Sequence, residues 1–167
     1  GEIRIARSHA SARMPARFQL VAAMNPCPCG WRGSALRECR CLEPEVARYR
    51  AKISGPLLDR IDLHVALAAV PSKDMLREGR SGETSDQVLA RVRKARGLQL
   101  ERYRGEPWST NAELPTAVLP HHCALRADAR ALLERAVSAL GLSMRAVVRC
   151  LRVARTIADL SGASAID

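Results

Sequence analysis

Two C-x-C pairs set nine residues apart, Cys27/Cys29 and Cys39/Cys41, constrain this chain more than any other feature. Four thiols converging from the two ends of one loop must share a purpose or be held apart. The stretch that carries them, "PCPCGWRGSALRECRC", is a loop rich in Gly, Pro and Arg. Cys123 and Cys150 stand alone in apolar, helix-like surroundings and read as core. In a reducing compartment disulfides are disfavoured, whereas four thiolates satisfy a tetrahedral zinc ion. Arg32, Arg37 and Arg40 lie in the same loop and would offset the negative charge of such a site. C-x-C spacing is less specific than paired C-x-x-C knuckles, so a redox pair or plain free thiols stand beside structural zinc as readings. A closed four-thiolate site leaves no open position for water, so its work would be folding the loop rather than catalysis.

The pattern on either side of the loop predicts an α/β region followed by an all-α one. Residues 1–17 alternate around a "SHAS" turn and read as a β-hairpin with arginines on its arms. Phe18 to Met24 reads as a buried strand that ends at Asn25-Pro26. Pro44 sits where a first helical turn favours it, and Glu45 to Ile53 follows as a short helix. "SGPLLDR" breaks and restarts the chain, and "IDLHVALAAV" (61–70) alternates into a second strand. Residues 71–83 are polar and read as a linker. Thr84-x-x-Gln87 is a capping box opening a basic helix to about Tyr103. Two further helices are expected at about 126–140, stopped by Gly141, and 144–160, capped by Ser143.

The formal net charge is +10, almost wholly from arginine, since only Lys52, Lys73 and Lys94 are lysines. Guanidinium forks match phosphate geometry, which points to a polyanion partner, nucleic acid or nucleotide; an arginine-rich proteome would give the same excess. The last expected helix sharpens this. At 100° per residue Met144, Val147, Val148, Leu151, Ala154 and Ala158 share one side, while Arg145, Arg149 and Arg152 fall within about 60° on the other. No carboxylate interrupts those three positions, so an anion is a reasonable thing for that face to meet.

The strings "FQLVAAMNPCPCG", "RYRAKISGPLLDRIDLHV", "NAELP" and "LSMRAVVRCLRVARTIADLSG" resemble the C-terminal portion of the ComM/YifB proteins, the magnesium-chelatase-like branch of the AAA+ ATPases. The resemblance covers essentially the whole chain in order. It implies an α/β fold: the C-terminal part of an AAA+ P-loop NTPase core (hairpin, sensor 1 strand, arginine-finger helix and last core strand) over residues 1–70, with a cysteine-rich insertion at 26–42. The 71–83 linker would lead to a helical lid, a magnesium-chelatase-type C-terminal domain, at 84–167.

The same resemblance implies roles for single residues. Asn25 matches sensor 1, which orients the attacking water near the nucleotide γ-phosphate; an uncharged amide can donate to phosphate and accept from water. Arg60 matches the arginine finger offered across a subunit boundary. Arg145 matches sensor 2 on the lid, with Arg149 as the second choice. Arg7, His9 and Arg13 on the hairpin become candidates for DNA contact.

Walker A and an acidic Walker B strand do not occur in these residues. In the family both lie upstream, as expected of a chain that opens on Gly1-Glu2-Ile3 and reads as part of something longer. ATP with Mg²⁺ would therefore be bound mostly outside this segment, which should not hydrolyse ATP by itself. The implied protein is an ATP-dependent hexameric DNA motor, a helicase or branch-migration enzyme of natural transformation and recombination. A chelatase-type ATPase subunit that remodels a partner, and a zinc-stapled nucleic-acid-binding module without enzymatic activity, are the competing readings. With no run of eighteen apolar residues and no signal-peptide pattern, membrane insertion is not expected, and a cytoplasmic location is the default.

Overall fold

Helix ends in this chain are written locally, and the computed structural model, which describes residues 1–7, 10–70, 72–76 and 82–167, shows how. Thr84 Oγ1 accepts from the Gln87 amide and Gln87 Oε1 accepts from the Thr84 amide at 2.8 Å, closing both halves of the expected capping box. Ser143 Oγ accepts from the Ala146 amide at 3.2 Å to start the last helix. Gly141 takes the left-handed conformation, φ 60°, that ends the helix before it. The described chain divides into two compact units, Gly1–Ile53 and Ser54–Asp167.

In the first unit β1 (Glu2–Arg7) and β2 (Ala10–Pro15) form an antiparallel hairpin with Ile3 opposite Met14 and Arg4 opposite Arg13. Ser8 and His9, where a turn was expected, lie outside the described residues. The segment after it differs from expectation: Phe18 to Met24 belongs to no strand, with Phe18 74% and Val21 84% exposed. A strand needs a neighbour to take its amides and carbonyls, and the one sheet among the described residues contains only β1 and β2. The cysteine loop follows, and then α1 (Glu43–Arg50), with Pro44 in its first turn and the Leu42 amide donating to Glu45 Oε2 at 2.9 Å. It begins and ends two to three residues before the expected helix.

The second unit opens with the short α2 (Gly55–Leu58). Residues 61–70, expected as a second strand, likewise form no strand among the described residues, and Leu67 is 89% exposed. A helical turn, α3 (Ser72–Met75), falls in the stretch read as linker, of which positions 71 and 77–81 lie outside the described residues. Then come α4 (Ser85–Arg102), 3₁₀ turns at Asn111–Glu113 and Thr116–Val118, α5 (Leu119–His122), α6 (Ala127–Leu140) and α7 (Met144–Ser161). The architecture is mixed α/β, with the helical content concentrated toward the C-terminus.

The core of this unit gathers Tyr103, Leu114, Leu119, Cys123, Ala158 and Ile166, with Trp108, Val148, Leu151 and Ala154 packed against it. Met144, expected on the buried face of α7, is 72% exposed because it occupies the helix's first position, ahead of the core. Cys150 is exposed where core was expected, while Cys123 is buried as its surroundings implied.

Threaded through the core is a charged network. Asp159, 1% exposed, accepts from both terminal nitrogens of Arg102, from Asn111 Nδ2 at 2.8 Å and from Arg155 Nε at 3.2 Å. Tyr103 Oη donates to Asn111 Oδ1 at 2.6 Å. Arg155 goes on to donate to the Ala163 and Ser164 carbonyls at 2.6 and 2.7 Å, holding the chain beyond α7. Burial alone would raise the Asp159 carboxyl, but hydrogen bonds from Arg102 and Asn111 and the charges of Arg102 and Arg155 outweigh it, leaving the group below its ordinary range.

Candidate functional site

The cysteine loop is built around a turn. The Gly30 amide donates to the Cys27 carbonyl at 3.0 Å, and Gly30 adopts φ 83°, open to glycine at little cost. This turn brings Cys27 and Cys29 together, and the return of the chain through Cys39 and Cys41 completes a group of four sulfurs, all within 4.8 Å of one another. Cys27 Sγ lies 3.4 Å from Cys29 Sγ and 3.6 Å from Cys39 Sγ. None of the four is in a disulfide. The Arg32 amide points at Cys27 Sγ, 3.4 Å away. Its guanidinium is turned to Glu43, at 2.7 and 3.1 Å, instead of the sulfurs, and Arg37 lies over the Trp31 ring. Arginine balance of the thiolates is therefore less direct than the sequence implied.

The four thiols divide unequally. Backbone amides of Trp31 and Arg40 hold Cys29 down at about 6. Cys41 is helped by the Cys29 amide, yet burial and the neighbouring sulfurs push it up to about 12. Cys27 is pulled down and Cys39 pushed up by the same competition. Several thiolates at this spacing need a positive charge between them.

Asn25 stands immediately before this loop and is exposed. Its side chain borders the space beside Gly30, where an added Cβ would sit 3.8 Å from Asn25 Nδ2.

Arg60 follows the C-terminal end of α2, exposed, with Nη1 donating to the Pro56 carbonyl at 2.6 Å. On either side of it Asp59 and Asp62 face Arg149 of α7, at 3.4 Å from Nη2 and 3.8 Å from Nε. Arg152 donates to the Leu114 carbonyl. The three-arginine face of α7 is thus not uniformly open, as its lack of carboxylates implied, because the partners come from sequence-distant segments. Arg145 is exposed. Arg149 Nε and Nη1 and Arg152 Nε are buried without a hydrogen-bond partner among the described residues.

On the hairpin, strand alternation puts Arg13 beside Arg4 on one face, both in contact with Glu2, and Arg7 with Ile3 and Ile5 on the other. Arg7 and Arg13 therefore do not form a single patch, and His9 lies outside the described residues. Arg4, Asp59 and Asp62 were not singled out by the sequence. Only the cross-strand register exposes the first, and only the fold the other two.

Residues 82–167 match the family of the magnesium chelatase subunit ChlI C-terminal region, and residues 1–75 match that of magnesium chelatase subunit ChlI itself. The chain belongs to the magnesium chelatase ChlI family. It is a ChlI-like AAA+ protein, similar to competence protein ComM of Haemophilus influenzae, with 43% identity over 163 residues, 97% of this chain and 31% of that protein. Uncharacterized protein YifB of Salmonella typhimurium is 39% identical over 168 residues, 100% of this chain and 32% of its own. YifB of Escherichia coli is 40% identical over 161 residues, 96% and 30% respectively. The chain thus spans about a third of the length of these ChlI-like relatives. Among the described residues no helix is long and apolar enough to cross a membrane.

Proposed function

We propose that this ChlI-like chain is part of an ATP-driven DNA motor, a helicase or branch-migration enzyme working as a hexameric ring in DNA uptake and recombination. The observation that carries this reading is the similarity to a competence protein over 163 residues, a span that takes in Asn25, Arg60 and Arg145 together. ATP with Mg²⁺ supplies the phosphoryl group to be transferred, from a cradle outside these residues. Asn25 holds the attacking water through its amide. Arg60, exposed at a chain turn and free to leave the Pro56 carbonyl, reaches the nucleotide of a neighbouring subunit and stabilises charge on the transferring group. Arg145 suits sensor 2 better than Arg149, because Arg149 is already engaged by Asp59 and Asp62. The hairpin carries Arg7, His9 and Arg13 toward DNA.

The test is made on the full-length protein. ATP hydrolysis stimulated by forked DNA, with affinity falling steeply as salt rises, supports the motor. Hydrolysis with no DNA binding at low salt would favour the chelatase-type reading, a partner-remodelling ATPase, toward which the family description points.

A further inference from the structure

We infer that Cys27, Cys29, Cys39 and Cys41 bind one zinc ion, and that the metal acts as a positioning device for Asn25. The first half stands on geometry alone. Zn–S bonds of about 2.3 Å in a tetrahedron place sulfurs about 3.8 Å apart, and the observed separations of 3.4, 3.6 and 3.6 Å, with all four atoms inside 4.8 Å, fall around that value. A disulfide would require about 2.05 Å. Cys27 is fully buried and the Arg32 amide is directed at its sulfur, so the inner end of the site is walled by backbone. Four thiolates fill every position of a tetrahedral ion and leave none for substrate, which makes the site structural.

The second half follows from where the loop is anchored. Only Pro26, with its fixed φ, separates Asn25 from the first ligand. Gly30, next to the second ligand, adjoins the Asn25 side chain closely enough that a Cβ there would stand 3.8 Å from Asn25 Nδ2. The loop buries almost nothing besides Cys27, so apolar packing does not hold the turn beside Asn25. Metal bonds take over that task. This half rests on the assignment of Asn25 to the ATPase site; the first half does not.

The full-length protein, purified under reducing conditions without chelator, should carry one zinc per chain by elemental analysis, and Cys39→Ser should lose it. Cobalt exchanged for zinc should show the charge-transfer and ligand-field bands of a four-thiolate site, a readout that needs neither a variant nor ATP. Absence of metal, iron in its place, or a cobalt spectrum of fewer than four sulfurs overturns the site. For positioning, zinc removal should lower kcat for ATP roughly tenfold or more with little change in nucleotide affinity, and zinc return should restore it. In an Asn25→Ala background zinc removal should have no further effect on kcat. Equal losses in both backgrounds, or unchanged kcat in the metal-free protein, would overturn the positioning role while leaving the metal site standing. If the zinc-loaded protein hydrolyses no ATP under any condition, it is the motor reading that fails, and the positioning role with it.

Discussion

Arg149 on α7 meets Asp59 at 3.4 Å, Nη2 to Oδ1, across ninety residues of chain. Asp62 lies 3.8 Å from the same guanidinium, so the two carboxylates around Arg60 are both turned toward the helix expected to sense nucleotide. A shift of α7 would be felt at Asp59 and Asp62, and through them at Arg60. The pair is partly solvated, with Asp59 46% exposed, so a double-mutant cycle of Arg149→Ala and Asp59→Ala should give a coupling of about 0.2–1 kcal/mol in urea unfolding. Additivity within error would mean the contact carries nothing.

Arg60→Ala should leave nucleotide binding nearly intact and cut hydrolysis by roughly 10³-fold or more, since the loss falls on the transition state. Its placement in trans is checked by mixing. Rings formed from Arg60→Ala subunits and subunits with a disabled phosphate-binding loop should recover partial activity, and mixed rings with none would count against the assignment.

Asp159 is the keystone of the helical unit. Asp159→Ala leaves Arg155 and Arg102 without their carboxylate in a buried site and should cost about 3–5 kcal/mol, followed by the fluorescence of Trp108 at the edge of that core. The acid behaviour follows from the sign of its shift. The folded carboxyl is held below the unfolded value of about 4, so its contribution is complete above that pH and drains away as pH falls through the lower folded value. Arg102, Arg155, Asn111 and Tyr103 surround it, and in that range none of them changes charge. Asp159→Asn should flatten the acid limb of the stability curve.

The hairpin register makes a sharper statement about DNA than the sequence did. Each phosphate contact removed should lower the slope of log affinity against log salt by about 0.9. If DNA meets the end of the ribbon, Arg7→Ala and Arg13→Ala should each reduce it, by roughly two units together. If DNA lies along the face shared with Arg4, only Arg13→Ala and Arg4→Ala should do so. An unchanged slope in all three variants would move the contact to the basic surface of α4.

What the sequence made legible was what neighbours within a few residues decide. Thr84, Ser143 and Gly141 fix helix ends through bonds spanning three to five residues, and those ends fall where expected. The four-cysteine cluster was legible because a short loop has few ways to arrange two C-x-C pairs. The segments 18–24 and 61–70, expected as strands, pair with nothing among the described residues. Alternation or an apolar run reports which faces a segment would bury, but a ladder also needs a partner, which lies beyond local pattern. Arg155 was missed although its spacing between Leu151 and Ala158 puts a charge on the buried stripe of α7, a mark of a paired core arginine. Asp59 and Asp62 gave no such sign.

The grip of Arg155 on Ala163 and Ser164, with the Ile166 amide bonded to the Ala124 carbonyl at 3.0 Å and the Arg126 amide to the Ile166 carbonyl at 2.9 Å, turns the last described residues into a buckle. Amides beyond the end of a helix ordinarily trade hydrogen for deuterium within moments. Here the Ile166 amide should be among the slowest in the helical unit to do so, keeping pace with Ala158, because nothing short of opening the whole buckle exposes it to water.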